Sequence, residues 1–354
     1  MKIIKTNVVK SARTFGKCLI GSLLGLGLLA GAAQAADYNL KFQSSDNAGN
    51  PNYKIQQQWA EQVKEMTGGR VSVQMMPVGS IVKHTETLDA IGAGIIDGHI
   101  TATSYFSGKD PAFGLLGNTV GAWGDPAEML NFIEHGGGRE LYEELLSPYG
   151  VQFIGASATG LESFLSKVPL DGVDDLKGLK LRAPEGLVQA VFSAAGASPV
   201  NLPGSEVYTS LDKGLIDAAD YTVFSTNHQQ GMHKIATHPV YPGFHSLPVI
   251  EVSMTKKTWD SMPADLRVIL KDSVTDFAHN IVSALKKADL KAVAEAEASG
   301  KVTIHNWSME ERNKFRTIAR SQWEVFAEKS PNARKVLDVL TKYLAEKGML
   351  VSQQ

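Results

Sequence analysis

The stretch from residue 178 to residue 220 constrains the fold most, because its pattern alternates between strand and helix. The alternating segments are 179–182 (strand), 187–195 (helix), 198–202 (strand), 205–213 (helix) and 216–221 (strand). Such alternation is typical of α/β folds, in which ligands bind beyond the carboxyl ends of strands. Arg182 stands at such an end, and its planar fork of donors suits a carboxylate. From spacing alone, a ligand role and an inter-lobe salt bridge both stay open for Arg182.

The first 35 residues have the three parts of a secretory signal. Basic residues without any acidic residue precede position 18, an apolar run covers 18–30, and Ala33-Gln34-Ala35 is a typical cleavage site. The apolar run is shorter than the ~20 residues that a membrane span needs. We therefore predict cleavage before Ala36 and export to the periplasm.

Composition excludes several kinds of site in the exported chain. The single cysteine, Cys18, lies inside the predicted signal, so disulfides, thiolate metal sites and cysteine nucleophiles are excluded. Without the five basic residues of the signal, 30 Lys and Arg face 37 Asp and Glu, a formal net charge of −7. A nucleic-acid partner is therefore not expected, because such partners require a basic face.

Residues 36–354 are too many for one usual hydrophobic core, which predicts two lobes. The earlier segments read as strands at 38–42, 71–75 and 95–104 with helices at 55–66 and 85–94, which predicts a parallel α/β lobe. A helix is predicted over 128–146 and a strand over 151–154. The predicted division is 36–154 for the first part of lobe I, 155–246 for lobe II, and 247–354 for the return to lobe I.

The return segment begins with a strand at 249–254 and continues in helices. Apolar residues spaced by threes and fours predict one long helix from Pro263 to about residue 298, spanning both lobes. Ser308 with Glu311 predicts a capping box that opens another helix, and a last helix is predicted over 332–347. A chain that crosses twice between lobes is suited to hinge closure around a ligand in the cleft.

Motifs of the common hydrolases and nucleotide-binding enzymes do not occur in this chain. The glycines at 136–138 follow a helix, which indicates a helix end and not a phosphate-binding loop. The histidines at 228, 233, 238 and 245 lack the tight spacing of metal ligands, which favours surface or hydrogen-bonded roles. Asp217 and Asp220 flank a strand end and are open to acid–base, cation-binding or salt-bridge roles; we favour a salt bridge or cap for Asp217.

Six motifs occur in a fixed order along the chain. They are TGGRV at 67–71, LKGLKLRAP at 176–184, GASPV at 196–200, LPGSEVY at 202–208, GLIDAAD at 214–220 and WDSMP at 259–263. In this order they resemble the extracytoplasmic solute-binding proteins of TRAP transporters, the DctP-type family. The resemblance covers essentially all of the chain after the signal. It implies two α/β lobes that close on an organic acid, and delivery of that acid to a two-part membrane permease.

In that family an arginine at a strand end of the second lobe pairs with the ligand carboxylate, and it matches Arg182. YPGFH at 241–245 resembles the branch that binds 2-oxo acids, some of which hold a cation beside the ligand. This chain has Asp220-Tyr221 where that branch usually has Glu-Trp, Ser246 for a glutamate, and a replaced glutamine near Thr159. Because several oxygen ligands are thereby lost, we predict no metal and no other cofactor.

The predicted function is therefore capture of a small organic acid, with a 2-oxo or 2-hydroxy monocarboxylate favoured. The predicted ligand-binding residues are Arg182, Tyr105, Phe106, Thr159, Asp220, Tyr221 and His245; no catalytic residue is predicted. An aromatic or larger acid is the alternative solute. A sensor for a membrane receptor and a secreted enzyme using Asp217 or Asp220 are the alternative functions. The sequence leaves monomer and homodimer open.

Overall fold

The computed structural model describes residues 36–350, so the predicted signal segment lies outside the described residues. The strands are β1 (Tyr38–Ser44), β2 (Val71–Met76), β3 (Gly98–Ala102), β4 (Val151–Ser157), β5 (Ser163–Ser166), β6 (Lys180–Arg182), β7 (Ser198–Val200), β8 (Ala218–Thr222) and β9 (Ile250–Thr255). The helices are α1 (Pro51–Met66), α2 (Thr87–Gly92), α3 (Pro111–Gly117), α4 (Pro126–His135), α5 (Gly138–Leu146), α6 (Leu187–Ala194), α7 (Val207–Asp212), α8 (Phe224–Gln229), α9 (Lys256–Ser261), α10 (Ala264–Ser299), α11 (Met309–Ala327) and α12 (Pro331–Glu346).

The strands form two sheets, which confirms the predicted α/β class. One sheet has five strands in the order β2-β1-β3-β9-β4, and the other has four in the order β5-β8-β6-β7. In the first sheet β1 pairs parallel with β2 and β3, whereas β9 pairs antiparallel with β3 and β4. The sheet expected to be parallel is therefore mixed, because the returning strand β9 inserts between β3 and β4.

A buried hydrogen-bond network joins two neighbouring strands of the five-stranded sheet. His99 Nε2 on β3 lies 2.8 Å from Glu251 Oε1 on β9, and both side chains are fully buried. Thr103 Oγ1 donates to the other carboxylate oxygen of Glu251 at 2.6 Å. Buried polar groups are tolerated when they are hydrogen-bonded in this way, so the network holds β9 beside β3.

The long helix α10 runs from Ala264 to Ser299, close to the predicted limits, and ends where Gly300 takes a left-handed φ of 63°. Its apolar face packs on α1 and on strand β4 of the five-stranded sheet. It also packs on α8, which follows strand β8 of the four-stranded sheet. Trp59 on α1 donates from Nε1 to Ser273 Oγ on α10 at 3.1 Å. The helix therefore contacts elements connected with both sheets.

Several local predictions need correction. The helix predicted over 128–146 is two helices, because Gly136 ends α4 and Gly137 takes a φ of 96°. The capping box at Ser308 is half formed: Ser308 accepts from Glu311 N, but the Glu311 carboxylate accepts from Val173 N at 2.8 Å instead. The short elements α3, β5 and α8 were not predicted. No helix in residues 36–350 is long and apolar enough to cross a membrane.

Candidate functional site

Five strands from the two sheets, β1, β3, β4, β6 and β8, direct their carboxyl ends at one cavity. It encloses about 1030 Å³, including its opening to solvent. On the five-stranded side, Asp46 follows β1, Tyr105 follows β3 and Thr159 follows β4; on the other side, Arg182 ends β6 and Tyr221 lies near the end of β8. Ligands of α/β proteins bind at this end of parallel strands.

Arg182 is held in place by main-chain carbonyl groups. Its Nε donates to the oxygen of Leu202 at 3.0 Å, and its Nη1 donates to the oxygen of Asp220 at 2.7 Å. Only 3% of the residue is exposed, yet it lines the cavity. A guanidinium has five N–H donors, so these two bonds leave three for Tyr105 and a ligand. A preoriented, desolvated arginine of this kind suits a carboxylate.

Aromatic rings lie beside Arg182. His84 and Tyr105 meet edge to face, with ring centroids 4.7 Å apart. Burial, together with the Arg182 charge, lowers the pKa of His84, so this imidazole is neutral near pH 7. Burial raises the pKa of Tyr221 to about 12, and its hydroxyl donates to Gln230 Oε1 at 3.0 Å. Arg182 is therefore the positively charged side chain beside these rings.

A cluster of acids and one histidine lies next to Arg182. Ligand atoms of Glu162, Asp220 and His245 lie within 4.8 Å of one another, and all three residues are buried. Burial and the neighbouring Asp220 carboxylate raise the pKa of Glu162 well above its ordinary value. Burial alone would raise the pKa of Asp220, but contacts with His245, Glu162 and Arg182 lower it. Asp220 therefore carries the charge of the pair.

A polar wall faces the cavity from the five-stranded side. Asp46 accepts hydrogen bonds from Asn50 Nδ2 at 2.8 Å and from Gln56 Nε2 at 2.9 Å. Burial raises the pKa of Asp46 to about 6, although the bond from Gln56 opposes this rise. Asp46 has no salt bridge among the described residues, whereas the surface acids Asp37 and Asp89 pair with Arg70 and Lys109.

The structure brings five of the predicted ligand-binding residues to the cavity: Arg182, Tyr105, Thr159, Asp220 and Tyr221. Phe106 is placed elsewhere, in the hydrophobic core, where its ring stacks on His99 at 5.7 Å. His245 lies behind the cavity surface, with its Nε2 3.5 Å from Asp220 Oδ1. Ligand contact by the five residues that line the cavity stays a prediction. His245 contacts Asp220, which is one of these five.

The remaining residues considered in the sequence lie away from the cavity. Asp217 forms a surface ion pair with Lys167 at 3.7 Å, the role favoured for it. Trp123 and Phe244 are core residues. His228 and His233 contact each other through their Nδ1 atoms at 3.2 Å, outside the cavity lining.

Sequence reasoning missed Asp46, Gln56 and Glu162. The polar loop over 44–52 directly follows β1, so the strand-end rule that selected Arg182 also applies to Asp46. Glu162 lies five residues beyond the end of β4, and Gln56 lies within α1. No spacing signal assigns these two residues to the cavity, because the chain reaches it only through tertiary packing.

One family of known proteins matches most of this chain. Residues 42–330 match the family described as "Bacterial extracellular solute-binding protein, family 7". The chain is 59% identical to a TRAP periplasmic solute binding protein from Rhodobacter sphaeroides, solved in an apo open form. That match covers 89% of this chain and 100% of the other, with a TM-score of 0.75.

Two further relatives have names that state a ligand. A TRAP periplasmic solute binding protein from Pseudoalteromonas atlantica T6c, solved with bound sodium and pyruvate, is 27% identical with a TM-score of 0.77, over 87% of this chain and 94% of the other. The monocarboxylate 2-oxoacid-binding periplasmic protein of Nostoc sp. is 31% identical over 61% of this chain. The chain spans only 60% of that curated relative's length.

Proposed function

This chain belongs to family 7 of the bacterial extracellular solute-binding proteins, the solute-binding proteins of TRAP transporters, and from that premise we propose that it captures a small organic carboxylate in the periplasm. The observation that carries the proposal is Arg182, a buried arginine oriented by two carbonyls at the cavity wall. Its fork would receive the carboxylate, with Tyr105 and Tyr221 beside it. Closure of the two lobes, one built on each sheet, would then enclose the solute.

Among carboxylates we favour a 2-oxo or 2-hydroxy monocarboxylate. Two of the relatives support this choice, since one is named for 2-oxo acids and another holds pyruvate. The closed form would deliver the acid to a two-part TRAP permease. We propose no reaction at the site: its acids are Asp46, Glu162 and Asp220, and the cavity lining contains no nucleophile–base pair in hydrogen-bond contact.

A screen of small acids tests the proposal. We expect purified protein comprising residues 36–354 to be stabilised against heat by at least one 2-oxo or 2-hydroxy monocarboxylate, because ligands that bind only the folded state raise its stability. A ligand at about 100 times its Kd adds ~2.7 kcal/mol. Thermal unfolding would be measured with mono- and dicarboxylates, with neutral sugars as controls. Stabilisation by sugars and by none of the acids would contradict the proposal.

A cation beside the ligand is the second candidate feature of this site, and the cluster of Glu162, Asp220 and His245 is the observation that favours it. Asp220 Oδ2 is buried and has no hydrogen-bond partner among the described residues. Thr159, which also lines the cavity, has its Oγ1 atom likewise buried without a hydrogen-bond partner among the described residues. Carboxylate and hydroxyl oxygens fit a hard cation such as Na⁺ or Ca²⁺. Such a cation would attract the oxygen atoms of the solute. Its binding would overturn the prediction that the site holds no metal.

We expect pyruvate to bind at least tenfold more tightly when Na⁺ or Ca²⁺ is added to protein stripped with chelator and held in choline chloride. The reason is that a cation would offset the repulsion between Asp220 and the solute. Titration calorimetry with each salt measures the effect. Asp220→Asn should lose the dependence, whereas Asp217→Asn, at a surface acid, should keep it. Equal affinity with and without both cations would support the cation-free site.

A further inference from the structure

The polar wall on the five-stranded side offers hydrogen-bond acceptors to the cavity. It consists of Asp46, Asn50 and Gln56, each of which lines the cavity. The amide nitrogens of Asn50 and Gln56 both donate to Asp46. Asn50 Oδ1 is taken by the main-chain N–H of Asn52 at 2.9 Å, where it caps α1. Among the described residues, Gln56 Oε1 is the acceptor of this wall without a partner, and each Asp46 carboxylate oxygen accepts one of the two amide bonds and can accept another.

Gln56 is the second observation that points to a ligand. The residue is only 2% exposed, and its Oε1 atom is buried without a hydrogen-bond partner among the described residues. Exchanging the amide oxygen and nitrogen would place an oxygen against the Asp46 carboxylate, so Asp46 determines which way the amide faces. A buried acceptor without a donor is unfavourable, and a donor from a bound solute would satisfy it.

The wall and Arg182 belong to one cavity but to opposite sides of it. Asp46 follows β1 of the five-stranded sheet, whereas Arg182 ends β6 of the four-stranded sheet. The charge of Asp46 is close enough to affect the pKa values of Tyr105 and Tyr221, both of which also feel Arg182. Asp46 and Gln56 therefore line, from the other sheet, the same cavity into which a carboxylate held by Arg182 would project the rest of its solute.

We propose that Asp46 and Gln56 recognise a hydrogen-bond donor, a hydroxyl or an ammonium group, at the end of the solute remote from its carboxylate. The inference rests on the proposed function, since Arg182 must hold the carboxylate. A plain alkyl acid would leave Gln56 Oε1 without a partner. A second carboxylate would meet Asp46 and be repelled, so the wall also selects against dicarboxylates.

Matched acids of equal chain length test this inference. The probes are propionate, 3-hydroxypropionate, β-alanine and malonate; butyrate, 4-hydroxybutyrate, 4-aminobutyrate and succinate; and hexanoate with gluconate. Calorimetry on the chain comprising residues 36–354 should show, in at least one series, the hydroxy or amino acid binding at least tenfold more tightly than the alkyl acid. The dicarboxylate should bind most weakly. Whichever of the hydroxy and amino acids binds more tightly identifies the donor.

Variants of the wall residues test whether Asp46 and Gln56 cause the preference for a hydroxy or amino acid. Asp46→Ala and Gln56→Leu should each reduce the preference for the hydroxy or amino acid over the alkyl acid of the same series to less than threefold. Asp217→Asn is the matched control, because Asp217 is a surface acid paired with Lys167, and it should keep the full preference. Circular dichroism confirms that each variant is folded; if Asp46→Ala does not fold, Gln56→Leu carries the test.

The outcomes separate this inference from the proposed function. If alkyl acids bind, Arg182→Ala abolishes their binding, and hydroxy and amino acids gain nothing, only the inference about the wall is wrong. A preference that persists undiminished in both wall variants also overturns it. If no carboxylate of these series and no 2-oxo or 2-hydroxy acid of the thermal screen binds, the proposed function fails, and the inference fails with it.

Discussion

Replacing Arg182 by alanine should weaken binding of the carboxylate solute at least 100-fold. The guanidinium is 3% exposed, and its orientation is determined by the carbonyl oxygens of Leu202 and Asp220. Truncating one partner of a buried, hydrogen-bonded charge pair costs about 2–5 kcal/mol, because the other charge stays buried without a partner. A 100-fold loss corresponds to ~2.7 kcal/mol, within that range.

The conservative variant Arg182→Lys separates charge from geometry. Lysine keeps a positive charge but lacks the planar fork, so it cannot donate to both carbonyls and to a carboxylate in the same plane. We expect it to recover only part of the lost affinity. Titration calorimetry with the best acid from the screen measures both variants. Affinity in Arg182→Ala within threefold of the unaltered chain would rule out the carboxylate role and favour a structural one.

Replacing Asp46 by asparagine should stabilise the ligand-free protein, by up to ~3 kcal/mol at pH 7.5. Burial raises the pKa of Asp46 from 3.8 to about 6. The folded state therefore binds this proton more tightly than the unfolded state does. The free energy of unfolding falls as the pH rises from about 4 to about 6, and the loss is complete above that range. An asparagine carries no charge and avoids this loss.

The difference between the two proteins should shrink to about 1 kcal/mol at pH 4.5, where folded Asp46 is almost fully protonated. Urea unfolding at pH 4.5, 5.5, 6.5 and 7.5 without ligand measures it. Asp217→Asn, at an exposed acid, should track the unaltered chain at each pH. A stability difference for Asp46→Asn that does not change with pH would show that the Asp46 pKa is not raised. If Asp46→Asn is more stable but no longer prefers solutes with a remote hydrogen-bond donor, then Asp46 lowers the stability of the protein while it contributes to binding.

Local patterns predicted most elements correctly, because strand and helix periodicity depend on neighbouring residues. Arg182 was identified by its position at the end of an alternating segment, and the long helix by apolar residues spaced by threes and fours. The helix over 128–146 was predicted as one because its apolar period continues through the glycines. The left-handed φ of Gly137 interrupts it.

Phe106 illustrates where periodicity stops being informative. Tyr105 and Phe106 follow β3 in a 3-10 turn over Thr103–Phe106, where successive side chains no longer alternate as in a strand. Tyr105 consequently faces the cavity, whereas Phe106 packs on His99 in the core. Two aromatic neighbours with the same sequence signal therefore have different environments, and the turn geometry decides between them.

The sequence by itself determined the α/β class, the positions of most strands and helices, and the arginine at a strand end. Each of these depends on residues close together in the chain. Only the tertiary structure decided that Asp46 and Gln56 share a cavity with Arg182, that Glu162 lies beside Asp220, and that β9 enters the sheet antiparallel. The physical reason is that these contacts join residues far apart in sequence, and packing, not local periodicity, brings them together.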